Sequence, residues 1–212
     1  MDIKSEEKSD DIKIREGEKE SQTVWLERKS FRVALLGIFT ALAVVLGYAL
    51  VFIPNVELFT LMIFLAGFIM GKRDGAVVGL MSSFIFVFFN PYGVSPLPLF
   101  AYQLAHYAFV GFMGGVMCSF LSKKDFFKPE EDLYTFPVIL IFALTGAVIT
   151  FTYDVISTLI GALVIYGTFE SFWPTYIIGL PFTTIHLIGN TLGFIFILPA
   201  LIQIIYKMLD IS

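Results

Sequence analysis

Two stretches of this chain carry no charged side chain: residues 75–122, 48 positions, and residues 171–206, 36 positions. A water-soluble domain is charged at roughly a quarter of its positions, so runs of this length leave nothing to face solvent. The neighbouring stretches are almost as bare. Residues 33–71 hold only Glu57, and residues 133–169 hold only Asp154. A helix that crosses a bilayer needs about 20 apolar residues. Residues 33–71, 75–122 and 133–206 then accommodate about two crossings each, giving an all-α integral membrane protein with six transmembrane helices. The apolar runs are too long for strands and do not alternate, which excludes a barrel. Composition agrees, with 57% apolar and 15% charged residues over 212 positions. A single Cys excludes a disulfide scaffold, and a net charge of −4 argues against a nucleic-acid partner.

Charge is concentrated at the start. Residues 1–30 hold seven Lys or Arg and nine Asp or Glu, too polar to bury a core, and read as a disordered tail. No apolar run follows a short basic start there, so the tail is not a signal peptide. The membrane domain is expected over 31–207, with 208–212 as a short C-terminal tail. Its six spans read as Phe31–Phe52, Val56–Met70, Ala76–Phe89, Leu99–Leu121, about Pro137–Leu163 and about Ile177–Tyr206. Pro54 and Asn55 break the first, with Asn55 expected to cap the second and Glu57 to lie in its first turn. Gly71 to Gly75 separates the second from the third, and Asn90-Pro91-Tyr92-Gly93 reads as a turn.

Basic residues orient the bundle. Eight lie at or before Arg32, and the rest are Lys72, Arg73, Lys123, Lys124, Lys128 and Lys207. With six spans, all of them fall on one side, and that side is cytoplasmic. Both termini are then cytoplasmic, in a plasma-membrane protein. The outer connections centre on Pro54–Asn55, Asn90–Pro98 and Gly167–Tyr176.

Candidate binding groups cluster towards the outer half: Asn55, Glu57, Asn90, Tyr92, Ser95, Gln103, Glu170, Trp173 and Tyr176, with His106, Tyr153, Asp154, His186 and Asn190 deeper. An ionisable group within a span faces a partner or a wet cavity. Asp154 is therefore the leading candidate, against the plainer reading of a structural anchor or a partner for His186. For Glu57 the plainer reading is helix capping, and for Trp and Tyr an interfacial belt. No Lys or Arg lies on the outer half, which favours a neutral or cationic ligand over a polyanion. No phosphate loop, paired Cys, His-Glu-x-x-His or Gly-x-Ser-x-Gly motif is present, so no enzyme, metal site or cofactor is expected.

Small residues spaced by four recur: Gly37 and Ala41, Gly75 and Gly79, Gly111 and Gly115. Such pairs let helix backbones approach closely. The segment Ala34-Leu-Leu-Gly-Ile-Phe-Thr-Ala41, together with Ile53-Pro-Asn-Val-Glu57, Thr152-Tyr-Asp154 and Gly179-Leu-Pro-Phe182 followed by His186 and Asn190, resembles the S components of energy-coupling factor transporters. The resemblance spans roughly 31–207. It implies a high-affinity vitamin-binding subunit whose whole body topples in the bilayer. Energy would come from a transmembrane coupling subunit and two ATPase subunits. It also implies docking through small residues of the first helix, here Ala34, Gly37 and Ala41. Gly37 stands where the family usually has Ala. The implied ligand contacts are Asn55, Glu57, Asn90, Tyr92, Asp154, Trp173, His186 and Asn190.

The missing outer basic groups disfavour folate, biotin and pantothenate. Cobalamin-like and queuosine-like ligands, riboflavin and thiamine remain, with the lean towards cobalamin. Two rival readings stay open: a membrane scaffold of similar fold, and a stand-alone secondary transporter with Asp154 as its proton site.

Overall fold

The computed structural model describes residues 29–209. The expectations for the tail, up to residue 28, and for residues 210–212 lie outside these. The described chain is helical: α1 (Lys29–Leu50), α2 (Phe59–Met70), α3 (Lys72–Phe88), α4 (Leu97–Leu121), α5 (Phe136–Tyr166), α6 (Phe172–Leu192) and α7 (Leu198–Leu209). A π-helical turn, Gly193–Ile197, joins α6 to α7, and a 3₁₀ turn, Phe169–Ser171, precedes α6. Phe169–Leu209 thus forms one helical rod of 41 residues. Four helices are long and apolar enough to cross a membrane: α1, α4, α5 and that rod. The other two, α2 and α3, have 12 and 17 residues.

The short α2 is the centre of the bundle. Ten of its twelve residues, Phe59 to Phe68, are buried. A helix that is apolar on every side has to be wrapped by other helices. Here α3 and α4 pack on it, with α1 beside them. Phe59 stacks on Phe86 at 4.7 Å and meets Tyr107 edge-on at 4.8 Å. Phe64 reaches Phe194 of the π turn at 5.1 Å, and Phe68 reaches Phe142 of α5 at 6.1 Å.

Glycine decides how near these helices come. A Cβ on Gly67 or Gly75 would collide with the Gly111 carbonyl oxygen, and one on Gly111 with that of Gly75. Gly79, Gly114 and Gly115 are likewise pressed against the backbone of the facing helix. The four-residue spacings in α3 and α4 therefore serve packing inside the bundle. In α1 the situation is opposite. A Cβ on Gly37 would meet nothing within 4 Å, and Ala34, Gly37 and Ala41 are all exposed.

Contacts tie the ends together. At one end Arg32 of α1 forms a two-pronged ion pair with Asp74 of α3, with Nη2 donating to Oδ1 at 2.8 Å. Gln203 of α7 donates to the Glu131 carbonyl at that end, at 3.0 Å. At the other end Asn55 donates to the Phe182 carbonyl at 3.0 Å, and Tyr92 to that of Val51 at 3.5 Å. Outward faces are strongly apolar, as with Ile38, Leu42 and Val45 on α1 and Leu144, Val148 and Phe151 on α5. A surface of this kind suits lipid, not water.

Three boundaries differ from expectation. Gly71 alone turns the chain between α2 and α3, at φ 92°, so Lys72 to Asp74 form the first turn of α3. Asp74 is favoured there by the helix dipole and by Arg32. Asn55 does not cap α2. It adopts a left-handed backbone (φ 60°) in a run of turns from Val51, and Leu58 holds the cap position. Trp173 and Tyr176 belong to α6, not to a loop.

Gly111→Ala should lower the thermal midpoint in detergent by an amount equivalent to about 3 kcal/mol or more, since backbones must separate. Gly37→Ala should leave it unchanged or slightly raised. Equal midpoints for the wild type and Gly111→Ala would refute the close approach.

Candidate functional site

Spacing on two helices creates one polar face. His186 and Asn190 are four residues apart on α6, and Thr150 and Asp154 four apart on α5, so each pair shares a face. α5 and α6 pack side by side, and the faces meet. His186 Nδ1 lies 2.9 Å from Asp154 Oδ1. Asn190 Nδ2 donates to Thr150 Oγ1 at 3.0 Å.

Glu57 completes the cluster from the 51–58 connection. Its Oε1 accepts from Asn190 Nδ2 at 2.9 Å and lies 3.4 Å from His186 Nε2. Its Oε2 accepts the Thr60 backbone N–H at 2.8 Å, and the Thr60 hydroxyl donates to Oε1. Glu57 thus satisfies the first turn of α2 from just outside it, much as an N-cap does. Both ring nitrogens of His186 face carboxylate oxygens, and Nε2 also lies 3.2 Å from Asn190 Nδ2. Two carboxylates and one imidazole, all drawn from different segments, sit among apolar helices. Mutual pairing is what makes such burial tolerable.

An aromatic wall adjoins this cluster on the α4 side. The Tyr153 ring lies 6.0 Å from that of His186, 5.0 Å from His106 and 5.7 Å from Tyr107. Tyr102 stacks on Tyr153 at 6.1 Å, and Gln103 Nε2 donates to the Tyr153 hydroxyl at 3.1 Å. Two buried oxygens in this region have no partner: Asp154 Oδ2 and Gln103 Oε1.

Beside Glu57, which lines it, an apolar cleft of about 340 Å³ opens between Leu50, Val56, Leu58, Gly189, Leu192 and Phe196, among others. A cavity of about 370 Å³ near Ser122, Lys128 and Tyr206 lies at the other end of the bundle, away from the buried acids. Among the described residues, no group of three His, Cys, Asp or Glu side chains could hold a metal ion.

The structure therefore brings together four of the eight expected ligand contacts, Glu57, Asp154, His186 and Asn190. Asn55 lies nearby and straps the connection to α6 at Phe182. Asn90 accepts from the Tyr92 backbone N–H at 2.9 Å in the turn after α3, and Tyr92 pairs edge-on with Phe52 at 6.5 Å. Trp173 is 65% exposed beside Phe172. These three stand apart from the cluster, around the same end. Thr60 and Thr150 were not expected in it. The four-residue step from Thr150 to Asp154, matching that from His186 to Asn190, is the signal that could have found Thr150.

A helical bundle with lipid-suited outer faces, a buried polar cluster and an aromatic wall defines an integral membrane protein with an internal polar site. The model of the ECF-type riboflavin transporter S component family matches residues 28–207, and the chain belongs to that family. No curated protein matches the chain, and no solved structure does. Membership makes it a transporter component, not an enzyme, and supports the expected vitamin-uptake role. It does not support the lean towards a cobalamin-like or queuosine-like ligand.

Asn190→Leu should destabilise the ligand-free protein by about 1–3 kcal/mol, because Glu57 and Thr150 lose a buried donor. Trp173→Leu should stay within about 0.5 kcal/mol. Thermal unfolding in detergent measures both, and equal losses would show that the cluster holds nothing together.

Proposed function

We propose that this chain is the high-affinity substrate-binding subunit for uptake of riboflavin or a close flavin relative, energised by a separate coupling subunit and two ATPase subunits. Family membership over residues 28–207 carries the reading. The site's chemistry supports it. Riboflavin is uncharged, and no Lys or Arg lies between Gly75 and Ser122 or between Ser171 and Tyr206, the segments that frame the cluster. A flat heterocycle also suits a wall of Tyr and His rings.

Residues 31–207 form one membrane domain in this reading, with α2 and α3 as two short spans beside the four long ones. Both termini are cytoplasmic, because the basic segments then share one side. The cluster lies towards the outer face, with Glu57, Asp154, His186 and Asn190 at the floor of the site and Asn55, Asn90, Tyr92 and Trp173 around its mouth. The exposed face of Ala34, Gly37 and Ala41 docks on the coupling subunit, whose helices can approach closely there.

Protein purified from rich medium in mild detergent should release a flavin on denaturation, near one per chain by mass spectrometry. The intact sample should show flavin absorbance. A colourless protein that fails to quench added riboflavin fluorescence would sink the assignment. Separately, Gly37→Trp or Ala41→Trp should abolish co-purification with the coupling subunit and leave flavin binding intact. Assembly that survives both changes would remove this face from the docking role.

A further inference from the structure

The first helix is held unevenly along its length. Its buried residues, Phe39, Thr40, Ala43 and Gly47, all lie beyond residue 38. None of residues 29–38 is buried, and Leu35 and Leu36 rest half-buried against the core. A cavity of about 190 Å³ lies at this end, bounded by Arg32 and Leu35 of α1, Ile69 and Met70 of α2, and Asp74 of α3. Apolar packing is therefore thin where α1 begins. Arg32 supplies the attachment instead. It reaches Asp74, in the first turn of α3, by two prongs, with Nη2 donating to Oδ1 at 2.8 Å. Asp74 is 5% exposed, and a buried carboxylate stripped of its partner carries a large penalty, which keeps the pair closed. Near the far end of α1 the Tyr48 hydroxyl donates to the Ile85 carbonyl of α3 at 3.1 Å, and Gly47 lies against the Phe86 ring. Ala34, Gly37 and Ala41 lie between these two anchors.

The anchors also set which way α1 faces. At about 100° per residue, Arg32 lies within about 20° of Phe39 and Ala43 around the helix. Ala34, Gly37 and Ala41 lie about 140–200° away from Arg32, on the outward side. Drawing Arg32 towards Asp74 therefore turns the small residues away from the bundle. The planar fork of a guanidinium fixes this direction in a way that a point charge does not.

We propose that the Arg32–Asp74 pair is the positioning contact for assembly with the coupling subunit. It fixes the rotation and tilt of the first three turns of α1, so that Ala34 and Gly37 meet the partner in line with Ala41. The inference rests on the docking reading and deepens it: small residues permit close approach, and the pair decides whether they are presented together. Arg32 and Asp74 lie at the end of the bundle opposite the 51–58 connection, so ligand binding does not depend on them.

The test reads two affinities of the full chain in detergent, one for the purified coupling subunit with its two ATPase subunits, the other for riboflavin by fluorescence quenching. Arg32→Met and Asp74→Asn should each assemble about tenfold more weakly and bind riboflavin within about threefold of the wild type. The double variant should lose no more than about threefold beyond the weaker single, because both changes break one contact. Gly37→Trp is the reference for the docking face itself. If Gly37→Trp blocks assembly while Arg32→Met or Asp74→Asn assembles within about threefold of the wild type, the inference is overturned and the docking reading stands. Normal assembly of Gly37→Trp overturns the docking reading and takes the inference with it. Where one single variant does not fold, the other decides by the same measure. If both fail to fold, or both lose riboflavin binding along with assembly, the pair holds the whole fold together and the positioning role is overturned.

Discussion

The bundle rests on backbone meeting backbone. Where Gly67, Gly75 and Gly111 face one another, α2, α3 and α4 approach more closely than any side chain permits. In lipid, helices gain little from hiding apolar side chains, since the solvent is equally apolar. Dispersion contacts at short range have to hold them together. That contact allows a helix as short as α2 to be enclosed on every side, and it fixes Phe59, Phe64 and Phe68 as anchors for α3, α5 and the π turn. The α5–α6 pair leans on this interlocked trio mainly through aromatic rings and the polar cluster.

Glu57 joins the two parts. It is rooted beside the interlocked helices through Thr60 and reaches across to His186 and Asn190 on α6. A lone carboxylate at this depth would be costly, and four contacts with Thr60, His186 and Asn190 remove most of that cost. Asp154 faces the same penalty with a single contact from its own chain, at one of its two oxygens. The contrast separates an acid satisfied within the fold from one with an oxygen left unpaired.

Much of this was legible in the residues. Charge-free runs gave the helical class, and isolated Glu57 and Asp154 pointed to the residues that meet in the polar cluster. His186 and Asn190 were readable because polar groups in an apolar run stand out. The elbow between α2 and α3 was misread because Lys72-Arg73-Asp74 looks like a solvated loop. Only the fold reveals that Asp74 has Arg32 as its partner, 42 positions away. Asn55 was read as a cap because Asn commonly is one, whereas its left-handed backbone turns its amide towards Phe182. Thr60 and Thr150 escaped notice because threonine is unremarkable in a membrane helix, and only their partners give them meaning. The ligand lean failed for a different reason: a missing charge excludes anions but does not choose among neutral rings.

The π turn at Gly193–Ile197 sets the phase of the last rod. An α-helix advances about 100° per residue, so twelve residues from Asn190 to Ile202 would put them about 120° apart. One residue absorbed by the wider turn reduces the offset to about 20°. The polar face carrying His186 and Asn190 and the apolar face carrying Ile202 and Tyr206 then both point inward, as their burial requires. The rod therefore contains one residue more than a regular helix would need for that alignment. A single deletion within the turn could be absorbed by tightening it to α-helix, while a single insertion would rotate everything downstream towards lipid. Length changes in this segment are asymmetric in their consequences, and that asymmetry is written in the geometry of one turn.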